Sequence, residues 1–247
     1  MAQLWDAIFH ACRVDQEDPT AAWEQRVDAL ERRRAYLNSR QYTALRYAAA
    51  GTELTVGLPE GHVWKGGVDH NAEWTRVVPN IPTEEVFTVP DRSRVDGTVT
   101  ASKPLNYGGR LIQGFRVRFE GGRAVEVTAP EGGEILRRLI ETDEGAARLG
   151  EIALVPHGSP ISALGRVFYN TLFDENASNH VALGQSYSVC LDGGDEMSPE
   201  ELEAAGANSS AVHVDFMIGS EQMDIDGVRG DGAVEPVMRS GEWAFDA

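Results

Sequence analysis

His213 and Asp215 stand two residues apart in the run Ala211-Val212-His213-Val214-Asp215-Phe216-Met217-Ile218-Gly219, which is otherwise apolar. On a strand, residues i and i+2 point to the same face, so an imidazole and a carboxylate would project side by side. A buried carboxylate is costly unless it is paired or binds a metal. Upstream lie more groups of this kind: the pair Glu84-Glu85, then Glu151, then Glu175 and His180. Each alone has a plain reading. His213 would be a hydrogen-bonded core histidine, Glu84-Glu85 an exposed pair, Glu151 a strand-edge charge, and the polar run 174–180 a turn. Taken together, the set reads as a site for two divalent metal ions.

These residues need elements to hold them. The His213 run has the texture of a buried strand, and 150–155 reads as a strand with Glu151 near its start. Pro79-Asn80-Ile81-Pro82-Thr83 is a rigid, extended approach to Glu84-Glu85-Val86-Phe87-Thr88. Asp174 to His180 interrupts two apolar stretches, 164–173 and 181–184. Ahead of them, Leu4 to Ala11 predicts a short helix. Asp18-Pro19 predicts the cap and first position of a second, with Trp23, Val27, Leu30 and Leu37 on its inner stripe and Asn38 as its stop. Arg32-Arg33-Arg34 reads as a solvated helix face. From Glu53 the pattern turns to β: 54–58, a short piece at 62–64, 97–102, 110–120 and 123–129, the last two joined by a Gly121-Gly122 turn. Gly133 to Glu144 reads as a helix. Ser198 and Glu201 have capping-box spacing. Met223 to Val228 reads as a hairpin arm and 239–245 as a last strand. The fold class expected is α+β, with an N-terminal helical segment packed on mixed, mainly antiparallel β-sheets. We expect one domain over 1–247: a helical lead-in at 1–50 and a β-rich metal-binding core at 51–247.

Composition narrows the function. The chain has 247 residues, 42% of them hydrophobic and 25% charged, as in an ordinary globular protein. Its formal net charge of -17 argues against nucleic acid and against anionic membrane surfaces as partners. Lys65 and Lys103 are the two lysines; the other basic residues are arginines. Cys12 and Cys190 have no partner at zinc-ligand spacing, which points to a reducing compartment. No signal-peptide pattern and no membrane-spanning run is seen, so a cytoplasmic location is expected.

Several other motifs fail on their spacing. Gly184-Gln185-Ser186-Tyr187-Ser188 lacks the last glycine of a nucleophile elbow. Gly108-Gly109-Arg110 to Gly114 lacks the Lys-Ser/Thr of a phosphate loop. Asp224, Asp226 and Asp231 fail the EF-hand pattern and read as an acidic hairpin; a calcium-stabilised β protein would need that hairpin instead of the acids and histidines above. His10, His62, His70 and His157 read as surface or structural.

Three stretches carry a resemblance: Asn80 to Thr88, Phe168 to Ser178, and Val212 to Gly219. They closely resemble the thermophilic aminopeptidases, the aminopeptidase T and aminopeptidase S metallopeptidases. Asn106-Tyr107-Gly108-Gly109, Met223 to Gly227, Leu54 to Glu60 and Arg13-Val14-Asp15 are similar to that family as well. The resemblance covers essentially the whole chain and corresponds to the C-terminal, catalytic portion of longer family members, whose N-terminal domain is expected to be absent here. It implies that Glu85, Glu151, Glu175, His180, His213 and Asp215 hold two metal ions and that Tyr187 is an active-site tyrosine. Such ligands suit Zn²⁺, Co²⁺ or Mn²⁺. The implied activity is metal-dependent removal of N-terminal residues from peptides. Glu84 is expected to take the proton of the attacking water and pass it to the leaving amine, with the plain alternative that it only orients the groups behind the ligands, and the Tyr187 hydroxyl is expected to meet the developing oxyanion. The implied assembly is a homodimer acting on peptide substrates. The alternative is a catalytically incomplete metal-binding fragment.

Overall fold

The computed structural model describes residues 2–246. Two helices lead, α1 (Ala2–Ala11) and α2 (Pro19–Arg40). Asp18 caps α2 by accepting from the Ala21 N–H at 3.0 Å, with Pro19 in the first turn. Asn38 does not stop this helix. It lies within the last turn, where its amide donates to the Trp64 carbonyl at 3.1 Å and accepts from the Trp64 N–H at 2.8 Å. A tertiary partner thus satisfies a side chain that would otherwise compete with the helix backbone. The stop comes at Gln41, in the left-handed region with φ 45°.

Ten strands follow: β1 (Ala44–Ala49), β2 (Thr52–Gly57), β3 (Asp69–His70), β4 (Arg76–Val77), β5 (Val86–Thr88), β6 (Val95–Thr100), β7 (Leu105–Tyr107), β8 (Arg110–Ile112), β9 (Arg116–Glu120) and β10 (Arg123–Thr128). Then come α3 (Gly133–Ile140), β11 (Leu149–Leu154), α4 (Pro160–Ala163), α5 (Thr171–Glu175), β12 (His180–Gly184) and α6 (Pro199–Ala204). The chain closes with β13 (His213–Met217), β14 (Asp224–Val228), β15 (Val234–Arg239) and β16 (Glu242–Trp243).

The expected helical lead-in at 1–50 ends earlier than its sequence suggests. Ala44 to Ala49 favours a helix by composition, yet forms a central strand between β2 and β14. Leu45 and Tyr47 are buried and Arg46 and Ala48 exposed, the alternation of a half-buried strand; tertiary packing overrides local propensity here. The expected strand 110–120 is two, broken at Gly114, whose φ is 58°. The helix from Gly133 is shorter than expected, and 62–64 makes only an isolated bridge, His62 to Leu191.

Eight strands form one sheet in the order β10-β9-β6-β2-β1-β14-β15-β16, and four form another in the order β13-β12-β11-β5. Every strand pair described is antiparallel. One apolar core joins them: Leu30 and Leu37 from α2, Leu45, Val56, Val99 and Phe119 from the larger sheet, Leu136 and Leu139 from α3, and Ile152, Val181, Val214 and Phe216 from the smaller. The fold is α+β, as expected. No helix of the described residues is long and apolar enough to cross a membrane.

Candidate metal centre

Registers in the smaller sheet place the chemistry. Ala153 pairs with His180, Ala182 lies between Glu151 and Asp215, and Gly184 pairs with His213. Directly paired residues share a face, as do residues i and i+2. Glu151, His180, His213 and Asp215 therefore rise from one face, with the small side chains Ala153 and Ala182 between them as a floor. The opposite face, with Val86, Ile152, Leu154, Val181, Leu183, Val214 and Phe216, lies in the apolar core. Glu85, just before β5, and Phe87 within it extend the polar face at the sheet edge. Gly184 has φ +108°, and a Cβ there would overlap the Val212 carbonyl oxygen. Glycine therefore lets β12 and β13 close up beside His213.

Two trios of ligand atoms result: Glu85, Glu151 and His180, and Glu151, His213 and Asp215, each within 4.8 Å of one another. His180 Nε2 lies 3.1 Å from Glu85 Oε2 and 3.6 Å from Glu151 Oε1. His213 Nε2 lies 3.4 Å from Asp215 Oδ1 and 3.6 Å from Glu151 Oε2. Both imidazoles are oriented from behind. The Ser178 carbonyl is 3.2 Å from His180 Nδ1 and the Gln185 carbonyl 2.7 Å from His213 Nδ1. A carbonyl only accepts, so each Nδ1 carries the proton and each Nε2 is turned to the cluster, the arrangement that presents a histidine to a metal.

Electrostatics agree with a cation site. Burial, reinforced by Glu85 and Asp215, pushes Glu151 up to about 7. Burial and Glu85 push Glu175 up to about 8. Burial works against charge on His180, yet contact with the Glu151 and Glu85 carboxylates outweighs it and holds its pKa well above the usual imidazole value. His213 likewise rises to about 9 against burial, through Asp215. Asp215 is lowered in spite of burial by His213 and His180. Glu85 Oε2, buried, has no well-aligned hydrogen-bond donor. Crowded acids that hold protons or lean on imidazoles for want of another cation fit a divalent metal.

A cavity of about 450 Å³ opens onto this face, walled by Glu85, Glu151, Glu175, His213, Asp215 and Tyr187 among others. The Tyr187 ring lies 5.0 Å from that of His213, with the side chain half exposed at the rim.

A family model for thermophilic metalloproteases, M29, matches residues 1–243. The chain belongs to this family. Within the metalloprotease relatives it is 53% identical over 244 residues to aminopeptidase 2 of Geobacillus stearothermophilus and 55% identical over 241 to aminopeptidase T of Thermus thermophilus. These alignments cover 99% and 98% of this chain but 59% of each relative. A solved structure, wild-type AmpT from Thermus thermophilus, superimposes with a TM-score of 0.92 at 52% identity, over 99% of this chain and 59% of that one. A 2,5-dihydroxypyridine dioxygenase from Pseudomonas putida shares the fold alone, with a TM-score of 0.60 at 16% identity.

The structure places Glu84 away from the position a proton carrier needs. Its carboxylate, 1% exposed, is held by Arg13 at 2.6 Å and Arg26 at 2.9 Å, and it does not line the cavity. Arg26 also donates to the Glu84 carbonyl at 2.7 Å, and Asn176 Oδ1 accepts from the Glu84 N–H at 2.7 Å. Burial lowers Arg26 to about 10, with Glu84 opposing, so the guanidinium stays charged at neutral pH. These contacts tie down the loop that carries Glu85. The adjacency of the two acids concealed this, because an irregular loop sends neighbouring side chains in opposite directions.

Other functional contacts had little or no sequence signal. Arg13 and Arg26 lie far from Glu84 in sequence, and nothing around them marks them as its partners. Arg33 and Arg34 are not a free solvated face: Arg33 lies over the Trp243 ring at 5.2 Å, and Arg34 lines the cavity. In the polar run, Asp174 accepts from the Phe168 N–H at 2.7 Å and Asn179 from the Val155 N–H at 2.8 Å, which fixes the backbone on both sides of Glu175 and His180.

Proposed function

We propose that this chain carries the two-metal centre of an aminopeptidase and hydrolyses N-terminal residues from peptides. The observation that carries the reading is the pair of ligand trios sharing Glu151 on one sheet face at the floor of a cavity. Glu85, Glu151, Glu175, His180, His213 and Asp215 would hold the ions. The four carboxylates among these bring a formal charge of -4, which two divalent ions would neutralise; the mixed O/N donors suit Zn²⁺, Co²⁺ or Mn²⁺. When bound, such ions supply Lewis acidity that acidifies water and polarises a carbonyl.

The chain's own residues account for the rest. Tyr187 is raised by burial and by the surrounding acids, so its hydroxyl remains a donor at neutral pH. From the rim it would hydrogen-bond an oxyanion. A free substrate amine would have an ion held on this face, or a spare carboxylate beside it, to bind, and an acetylated one would not. With Glu84 locked between two guanidiniums, movement of the proton to the leaving amine falls to a carboxylate that faces the cavity. The names of the aminopeptidase relatives support the same substrate class.

The test is hydrolysis of unblocked and N-acetylated short peptides by metal-stripped chain resupplied with Co²⁺, Zn²⁺ or Mn²⁺. Cleavage of the unblocked peptides alone is expected. Two bound ions per chain without turnover would favour the second reading, a metal-binding portion incomplete by itself. A chain that takes up no metal would overturn both. Homodimerisation belongs to the first reading, and sedimentation at high concentration would remove it by returning a monomer.

A further inference from the structure

Lys65 is one of two lysines in the chain, and it lines the same cavity as Glu85 and His213. Its backbone makes both hydrogen bonds of a bridge with Phe87: Lys65 N–H to the Phe87 carbonyl at 2.8 Å, and Phe87 N–H to the Lys65 carbonyl at 3.0 Å. Directly paired residues project to the same side. Phe87 in turn pairs with Ala153, and Ala153 with His180. Lys65, Phe87, Ala153 and His180 therefore form one row across the polar face of the sheet. The following residue, Gly66, keeps the segment close: a Cβ there would stand 2.5 Å from the Glu85 carbonyl oxygen.

The charge of Lys65 is unanswered. Arg34, on the same wall, donates to the Val68 carbonyl at 3.3 Å and pairs with Glu31 at 3.6 Å. Among the described residues, no carboxylate oxygen lies within the 4.0 Å of an ion pair from the Lys65 ammonium. The metal-site acids do not answer it either, since bound ions would neutralise them.

We propose that Lys65 binds a carboxylate of the peptide substrate, which makes the cavity selective for peptides that carry a negative charge just beyond the bond to be cut. The inference rests on the aminopeptidase reading above. Strands lie about 4.8 Å apart, so three steps along the row put the Lys65 backbone about 14 Å from that of His180. The lysine side chain spans part of that distance. The remainder suits an extended dipeptide, about 7 Å long. A cavity of about 450 Å³ is in the range that encloses a small ligand. The carboxylate is either the C-terminus of a dipeptide or an acidic side chain in second position.

The experiment measures binding to Zn²⁺-loaded chain by titration calorimetry at low salt, with the scissile amide of each probe replaced by a ketomethylene group so that nothing is turned over. The probes are Leu-Gly, Leu-Gly amide, Leu-Glu amide and Leu-Gln amide. Leu-Gly should bind about tenfold more tightly than its amide, the effect of one charge-assisted hydrogen bond. The preference should vanish in Lys65→Met, persist in Lys65→Arg and shrink with added salt. Preference for Leu-Glu amide over Leu-Gln amide, without one for Leu-Gly, would assign the contact to an acidic side chain. With the unmodified, cleavable peptides the same ratios should appear in KM. Peptides that bind or are cleaved equally well by Lys65→Met and the parent chain, whatever their charge, would overturn the inference and leave the aminopeptidase reading standing. A chain that binds none of the four and cleaves nothing would overturn both.

Discussion

The two sheets share one core but use their second faces in opposite ways. In the larger sheet, β2 and β9 alternate between buried and exposed residues, and the outward positions carry side chains that water can solvate, such as Glu53, Thr55, Arg116 and Glu120. In the smaller sheet, β11 and β12 are buried at every position, yet each carries an ionisable group, Glu151 or His180. The charges of the larger sheet need no explanation beyond solvation. Those of the smaller one are costly where they stand, because burial disfavours their ionised forms unless a cation compensates them. The larger sheet is a scaffold, and the smaller one spends part of the stability that scaffold provides on a reactive face.

The largest effect should come from Glu151→Ala, since Glu151 belongs to both trios. Metal content measured on the purified variant should fall from two ions per chain to none, while an exposed acid of the scaffold, as in Glu120→Ala, leaves it unchanged. The helical and strand content should survive, because the core face of β11 is untouched. A Glu151→Ala chain that still binds two ions would mean that the trios are not the ligand sets.

The reverse cut is Phe119→Ala in β9. Phe119 is 1% exposed and belongs to the shared core. Removing a buried aromatic ring costs about 3–5 kcal/mol, from lost transfer energy and the cavity left behind. Denaturant midpoints should drop accordingly, with metal stoichiometry below the transition unchanged. Loss of metal from the still-folded variant would show that the two sheets do not separate into scaffold and site.

The same contrast explains what was legible in the sequence. Ligand types on the smaller sheet stood out because His213, Asp215 and Glu151 interrupt apolar runs where solvation cannot account for them. The caps of α2 and α6 were legible because they are local: Asp18 accepts from Ala21, and Ser198 and Glu201 bond reciprocally. Strand β1 was not, since Leu45 and Tyr47 are drawn into the core by partners far along the chain. Which of its two readings Glu84 takes, proton carrier or orienter, was not legible either. Arg13, Arg26 and Asn176, which define it, are distant in sequence, and nothing in Thr83-Glu84-Glu85 says which acid turns inward to the cavity. The floor of Ala153 and Ala182 carried no signal, because alanine in a strand looks neutral until its register neighbours are known.

Glu84→Gln is the smallest of the three effects and the most discriminating, because it tests the seam between scaffold and site. A glutamine keeps the shape and one acceptor but removes the charge that two buried guanidiniums share. Hydrogen bonds to charged groups are worth about 1.5–3 kcal/mol, so the variant should lose about 2 kcal/mol in denaturant titration. The loop that carries Glu85 should loosen with it, weakening metal affinity by roughly the 10–100-fold seen when groups supporting a ligand are removed. Arg26→Met should weaken metal binding in the same way, since Arg26 also holds the Thr83 and Glu84 carbonyls. Calorimetric titration with Zn²⁺ reads this whether or not the chain turns over substrate. If Glu84→Gln instead keeps full stability and metal affinity but loses hydrolysis by orders of magnitude, Glu84 is the proton carrier after all, and the carboxylate must leave its two arginines when substrate binds.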